Sequence, residues 1–146
     1  VFAVKHDALF RQNLDGDIFS DISAALGGSL ATASSIIESK DGTMLFEAPH
    51  GTAHDLYLKY LESDGKVAHF NPSALIFALG NALETLGERE GNEPLSQYAV
   101  QLKAALTDTV DSGIVTADLK GKTVDPESEQ VVDMIGFLEA VEKALQ

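Results

Sequence analysis

The sequence predicts an α/β fold, rich in helix and with a few short strands. Three observations carry that expectation. After residue 70 the apolar residues recur at helical spacing in three long segments. Before it, two β-like runs, Ile36-Ile37 and Met44-Leu45-Phe46, flank Lys40-Asp41-Gly42, and Asp-Gly between such runs is a hairpin signal. Glycine and proline stand where the periodic segments begin and end. With 146 residues, 45 % of them apolar, the chain has enough material for one domain with a core.

In chain order, Val1 to Val4 reads as a buried strand, followed by a loop or short helical turn through His6 to Gln12. Asp17 to Leu26 has helical period, with Ile18, Ile22, Ala25 and Leu26 on one face, and Gly27-Gly28 ends it. Residues 29–35 are small, as in close packing, and lead into the hairpin. Ala53 to Leu61 reads as a short helix. Asn71-Pro72 caps the next, with proline at the first helical position and Leu75, Ile76, Leu79, Leu83 and Leu86 on one stripe, up to a stop at Gly87. Pro94 opens a third, with Leu95, Tyr98, Leu102, Leu106 and Val110 inward and Gly113 as its stop. Asp125-Pro126 opens the last, with Val131, Ile135, Leu138, Val141 and Leu145 inward. The loop from Lys120 to Asp125 is expected to be the least ordered. The chain shows no repeat and no flexible linker.

Composition removes several function classes. A net charge of −13 sets up a field that repels a nucleic acid backbone or an anionic membrane and attracts cations. The chain has no cysteine, so disulfides, thiolate catalysis and Cys-ligated zinc are excluded. No apolar run reaches the roughly 18 residues needed to span a bilayer, and no signal peptide is visible. The expected location is the cytoplasm, or the mitochondrial matrix if the source is eukaryotic. The opening VFAVK, without Met, suggests a fragment or trimmed product with some machinery upstream.

Three constellations bear on chemistry. Asp17 and Asp21, at i and i+4, share a helical face and repel each other unless a cation lies between them. Hard oxygen ligands suit Mg²⁺ or Mn²⁺; on spacing alone, a solvated first-turn pair is the commoner arrangement. His50-Gly51-Thr52 sits at a strand-to-helix turn, where backbone N–H groups attract phosphate. Gly51 permits close approach, and an ordinary turn with a threonine cap is the plain alternative. Asp55, just behind, is placed to accept hydrogen bonds from ribose hydroxyls, or simply to complement a helix dipole. No Walker loop, GxSxG, HExxH or EF-hand loop occurs.

Taken in order, the blocks NLDGDIFSDISAALGGSL (Asn13 to Leu30), FEAPHGTAHDLY and FNPSALIFALGNALETLGE (Phe70 to Glu88) resemble the C-terminal part of the β-decarboxylating dehydrogenases. That family includes isocitrate, isopropylmalate, homoisocitrate and tartrate/malate dehydrogenases. The likeness is greatest to isocitrate dehydrogenase of the eukaryotic-like homodimeric type, with its DGD-x-x-SD, EAAHGT, NP-x-A-x-I-x-A and SG-x-x-T-x-DL motifs. Here these are Asp15 to Asp21, Glu47 to Thr52, Asn71 to Ala78 and Ser112 to Leu119. The resemblance implies that residues 1–146 form one C-terminal segment whose strands belong to a larger sheet. It also implies that Asp17 and Asp21 hold Mg²⁺ or Mn²⁺, which grips the substrate; that His50, Gly51 and Thr52 lie along the cofactor's adenosine and phosphates; and that Asn71 bonds the adenine.

Two departures matter. NADP-using relatives of this type carry an Arg-His pair after HGT, where this chain has Asp55 and Leu56. HGTAHDL is similar instead to the HGSAPDI of NAD-using isopropylmalate dehydrogenases, so the resemblance implies NAD. The family's catalytic Lys and Tyr, its substrate-binding Ser and Arg cluster and a third metal acid lie upstream of the part matched, so no catalytic residue is expected within this chain. The implied activity belongs to a complete homodimer with shared active sites: metal-dependent oxidative decarboxylation of isocitrate to 2-oxoglutarate with NAD. The alternatives are a related 2-hydroxy acid as substrate, or a non-catalytic nucleotide-binding fragment.

Overall fold

The computed structural model of the chain describes residues 34–49, 54–65 and 70–146, and with them Ile18, Phe19, Ile22 and Leu26. Those four are helical, as the period over Asp17 to Leu26 predicts, and exposed. The strand expected over Val1 to Val4 lies outside the described residues.

Strands β1 (Ser35–Glu38) and β2 (Met44–Glu47) form the expected antiparallel hairpin, with Ile36 opposite Phe46 and Ile37 opposite Leu45. The turn between them closes through Ser39 N–H to Thr43 C=O at 2.9 Å, and Gly42 takes the left-handed φ of 82° that a side chain would resist. Asp41 organises this turn. Its carboxylate accepts from the Ser39 hydroxyl and from the Thr43 N–H, and these bonds hold its pKa down at about 2. Helix α1 (His54–Glu62) follows, within a residue of its predicted bounds, and buries none of its side chains.

Helix α2 (Ser73–Glu90) starts one position later than expected: Pro72 is its N-cap residue and not its first helical one, and the Asn71 side-chain oxygen accepts from the Ser73 N–H at 3.0 Å just ahead of it. Two further expectations for it are corrected. Gly87 does not stop it; the helix runs on to Glu90 and ends at Gly91 in the left-handed conformation. Nor is the leucine stripe its packed face: Leu75 and Leu79 are 57 % and 51 % exposed, while Ala74, Ile76, Ala78, Gly80 and Gly87 are buried. The physical reason is closeness of approach. A Cβ on Gly80 would come within 2.7 Å of Lys103 Cγ, and one on Gly87 within 2.8 Å of the Ser96 backbone nitrogen. Helix α3 (Glu93–Asp111) lies against this small-residue face. Asn92 caps it, accepting from Leu95 N–H, and its Ala99, Leu102, Ala105, Leu106 and Thr109 are buried. Tyr98, expected inward, is exposed. Lys103 Nζ bridges back to Glu84 at 2.6 Å and Asn81 Oδ1 at 3.2 Å, and Asn81 in turn holds Ser34 at 3.3 Å.

The end of the chain departs most from expectation. No helix starts at Asp125-Pro126. Instead Gln130–Val131 forms β4, parallel to β3 (Ile114–Val115), and helix α4 spans only Met134–Leu145, capped by Asp133. β-Branched Val131 and Val132 suit a strand, and the Val132 N–H closes on Val115 C=O at 2.9 Å. Val131, Ile135 and Leu138 are therefore exposed, and the helix anchors through Phe137 and Val141. The loop expected to be loosest is braced. Glu129 accepts from Gly121 N–H at 2.7 Å and from the Thr123 hydroxyl at 2.6 Å, and those bonds, Thr123 first, lower its pKa. The core joins Ile76, Leu102, Ala105, Leu106, Phe137 and Val141, with Phe77, Val110, Ile114, Val132 and Leu145 against it.

Candidate functional site

Of the residues marked by sequence, Asp17, Asp21, His50, Gly51 and Thr52 lie outside the described residues. Asp55 and Asn71 are described, and their settings are opposite. Asp55 stands in the first turn of α1, exposed, and makes no hydrogen bond or ion pair with another described residue. Its charge faces water, where the helix dipole favours it modestly.

Asn71 is 3 % exposed. Its oxygen caps α2 through the Ser73 N–H, and its amide nitrogen donates to Asp118 Oδ2 at 2.9 Å. The other Asp118 oxygen accepts from the Thr116 hydroxyl at 2.6 Å. Thr116 is itself buried, directly after β3, and a turn from Thr116 C=O to Leu119 N–H at 3.0 Å carries Asp118 across to Asn71. The chain thus ties its Asn71–Ala78 block to its Ser112–Leu119 block, 47 positions apart in the case of Asn71 and Asp118. The arrangement fixes which way the amide points: oxygen to the helix N-terminus, nitrogen to the carboxylate. An amide nitrogen carries two protons and this bond uses one, so a second remains for an acceptor such as a ring nitrogen. Thr116 and Asp118 had no role in the sequence reading, although both sit in a recognised block. The threonine-x-aspartate spacing just after a strand, which lets the hydroxyl reach its neighbour's carboxylate, was the available signal.

Among the described residues no group of three or more His, Cys, Asp or Glu side chains converges in a way that would hold a metal ion. The candidate acids Asp17 and Asp21 are not among the described residues. No helix among the described residues is long and apolar enough to cross a membrane.

The sequence model of the isocitrate/isopropylmalate dehydrogenase family matches residues 4–135. The chain belongs to this family. Its helix-rich α/β structure is consistent with part of that dehydrogenase fold. It is 40 % identical over 111 residues to the mitochondrial isocitrate dehydrogenase [NADP] of Homo sapiens, covering 75 % of this chain and 24 % of that protein. The mitochondrial isocitrate dehydrogenase [NADP] of Saccharomyces cerevisiae is 39 % identical over 137 residues, 92 % of this chain and 32 % of the relative. Isocitrate dehydrogenase [NADP] 1 of Mycobacterium bovis is 36 % identical over 130 residues, 85 % of this chain and 31 % of the relative. The chain therefore spans about a quarter to a third of the length of these relatives.

Proposed function

We propose that these residues are the C-terminal segment of a metal-dependent dehydrogenase that oxidises isocitrate and releases CO₂ to give 2-oxoglutarate, with NAD as acceptor. The observation that carries the reading is the family match over residues 4–135, reinforced by identity to isocitrate dehydrogenases from three sources. In this reading Asp17 and Asp21 hold Mg²⁺ or Mn²⁺, which when bound polarises the substrate's oxygens as a Lewis acid. His50, Gly51 and Thr52 receive the cofactor's adenosine and phosphates at a helix start. Asn71 offers its second amide proton to the adenine, held in place by Asp118. The active site is shared between two subunits of a homodimer, and proton transfer falls to residues outside this chain. The mitochondrial human and yeast relatives favour the matrix for a eukaryotic source, and the cytoplasm otherwise.

The cofactor is the point at which this reading parts from the relatives, which are NADP enzymes by name. Asp55 stands where the resemblance places the 2′-phosphate-binding Arg, and Leu56 supplies no donor in its place. A carboxylate accepts from ribose hydroxyls and repels a phosphate. Like charges in a desolvated pocket cost several kcal/mol, but exposed Asp55 is screened, so the expected discrimination is nearer 1–2 kcal/mol, about tenfold.

The test is turnover by the full-length enzyme on isocitrate and on 3-isopropylmalate, with NAD and Mn²⁺. Isocitrate is expected to be the better substrate, and Asp17→Asn to raise the Mn²⁺ concentration needed. Preference for 3-isopropylmalate, which the isopropylmalate-like HGTAHDL run allows, would move the enzyme within its family. An unchanged Mn²⁺ requirement would remove Asp17 from the metal site.

A further inference from the structure

The hairpin is tied to α2 at both of its ends. At the end away from the turn, Asn81 donates to the Ser34 hydroxyl at 3.3 Å. At the turn end the tie is Arg89, in the last turn of α2. One of its guanidinium nitrogens donates to Gly42 C=O at 3.0 Å. The other donates to Met44 Sδ at 2.9 Å and stands 3.9 Å from Glu38. Met44 opens β2 and pairs with Glu38 across the hairpin. Met44 is partly exposed, so a small solute can reach it, and the Arg89 side chain is 50 % exposed.

This is an uncommon setting for a thioether. Sulfur is a weak acceptor, and methionine ordinarily packs among apolar groups, where the oxygen of a sulfoxide disrupts the contact. Here a cationic donor already touches the sulfur. A sulfoxide oxygen accepts far more strongly than a thioether, and its bond to a guanidinium is charge-assisted. Half-exposed Arg89 has room to withdraw by the length of the added bond. We propose that Met44 is a peroxide-sensitive modification site whose sulfoxide is gripped by Arg89, so that oxidation tightens the hairpin on α2. In the step, a sulfur lone pair attacks one oxygen of hydrogen peroxide. The S–O bond forms, the O–O bond breaks and sulfur gives up two electrons. The departing hydroxide takes the proton left on the new oxygen and leaves as water. The site stands on Met44 and Arg89 and needs no cofactor.

The chain has two methionines, so Met134→Leu leaves Met44 as its one thioether. That variant is treated with hydrogen peroxide, oxygen uptake is followed by mass spectrometry, and amide exchange at Ser39 and Gly42 is read by NMR before and after. One oxygen on Met44 is expected, with exchange at both amides slowed about fivefold, as one weak hydrogen bond gives way to a charge-assisted one. With Arg89→Ala added, the oxygen should still be taken up and the slowing should vanish. With Met44→Leu added, peroxide should change neither mass nor exchange. Failure of Met44 to take up oxygen overturns the site, and so does unchanged or faster exchange after uptake. Equal slowing with Arg89→Ala would remove Arg89 from it and overturn the proposed grip.

Discussion

Residues 34–65 and residues 70–146 are built on different terms. In the second stretch α2, α3 and α4 close around Phe137 and Leu106, which are 0 % and 1 % exposed, and every element there contributes to a shared core or is hydrogen-bonded to one that does. In the first stretch no described residue is buried: the hairpin is held by its own turn and by Arg89, which reaches Gly42 C=O at 3.0 Å, and α1 leaves Tyr57, Leu58, Tyr60 and Leu61 exposed. The two described candidate residues divide along the same line. Asn71, itself buried, is held at the edge of the core through the exposed carboxylate of Asp118, and Asp55 rides on the helix without a core face. A binding residue of the first kind is set by the fold of this segment. One of the second kind is set by whatever α1 meets.

The largest effect that would break this contrast is at the core. Phe137→Ala should cost about 3–5 kcal/mol, against changes within about 0.5 kcal/mol for Leu45→Ala or Tyr57→Ala. Urea unfolding of the chain checks it, and similar losses at all three would mean that residues 34–65 share the core after all. Next in size is the helix contact. Gly87→Ala places a methyl against the Ser96 backbone and should cost about 1–3 kcal/mol, whereas Gly91→Ala, with open space around it but a φ of 65°, should cost about 1. Asp118→Asn tests the network on the same scale. It removes the carboxylate that two donors share, and about 1–2 kcal/mol of stability is expected to go with it.

The smallest effect is a local one of pH. Glu129 has its pKa lowered from its ordinary 4.5 by bonds made only in the folded chain, so its brace is complete above that value and is lost as the pH falls through the lowered one. Amide exchange at Gly121 and Thr123 should therefore quicken in that acid range before the core amides do, and Glu129→Gln should abolish the pH dependence while Glu127→Gln leaves it.

What the sequence disclosed follows from how local each feature is. The Asp-Gly hairpin, α1, the start of α2 and the stop at Gly113 are written in neighbouring residues, and all were legible. The packed face of α2 was not, because a stripe of leucines outweighs alanine and glycine on any periodic reading, while close approach of α3 selects the small residues. The false helix start at Asp125 arose from a proline signal that β3, distant in sequence, overrides by recruiting Gln130 and Val131 as a parallel partner. In the candidate site, Asn71 was recognised through its block. The role of Asp118 was hidden, since a bond between positions 47 apart leaves no periodic trace.

The most direct test of the account is the cofactor ratio set by Asp55. On the full-length enzyme, kcat/KM for NAD should exceed that for NADP by about tenfold at low salt, and the margin should narrow as ionic strength rises, because an exposed charge is screened. Asp55→Arg should reverse the preference while leaving the thermal unfolding of residues 70–146 unchanged. A wild-type preference for NADP, in line with the relatives, would contradict the assignment of NAD, and a ratio unmoved by Asp55→Arg would show that α1 does not carry the determinant.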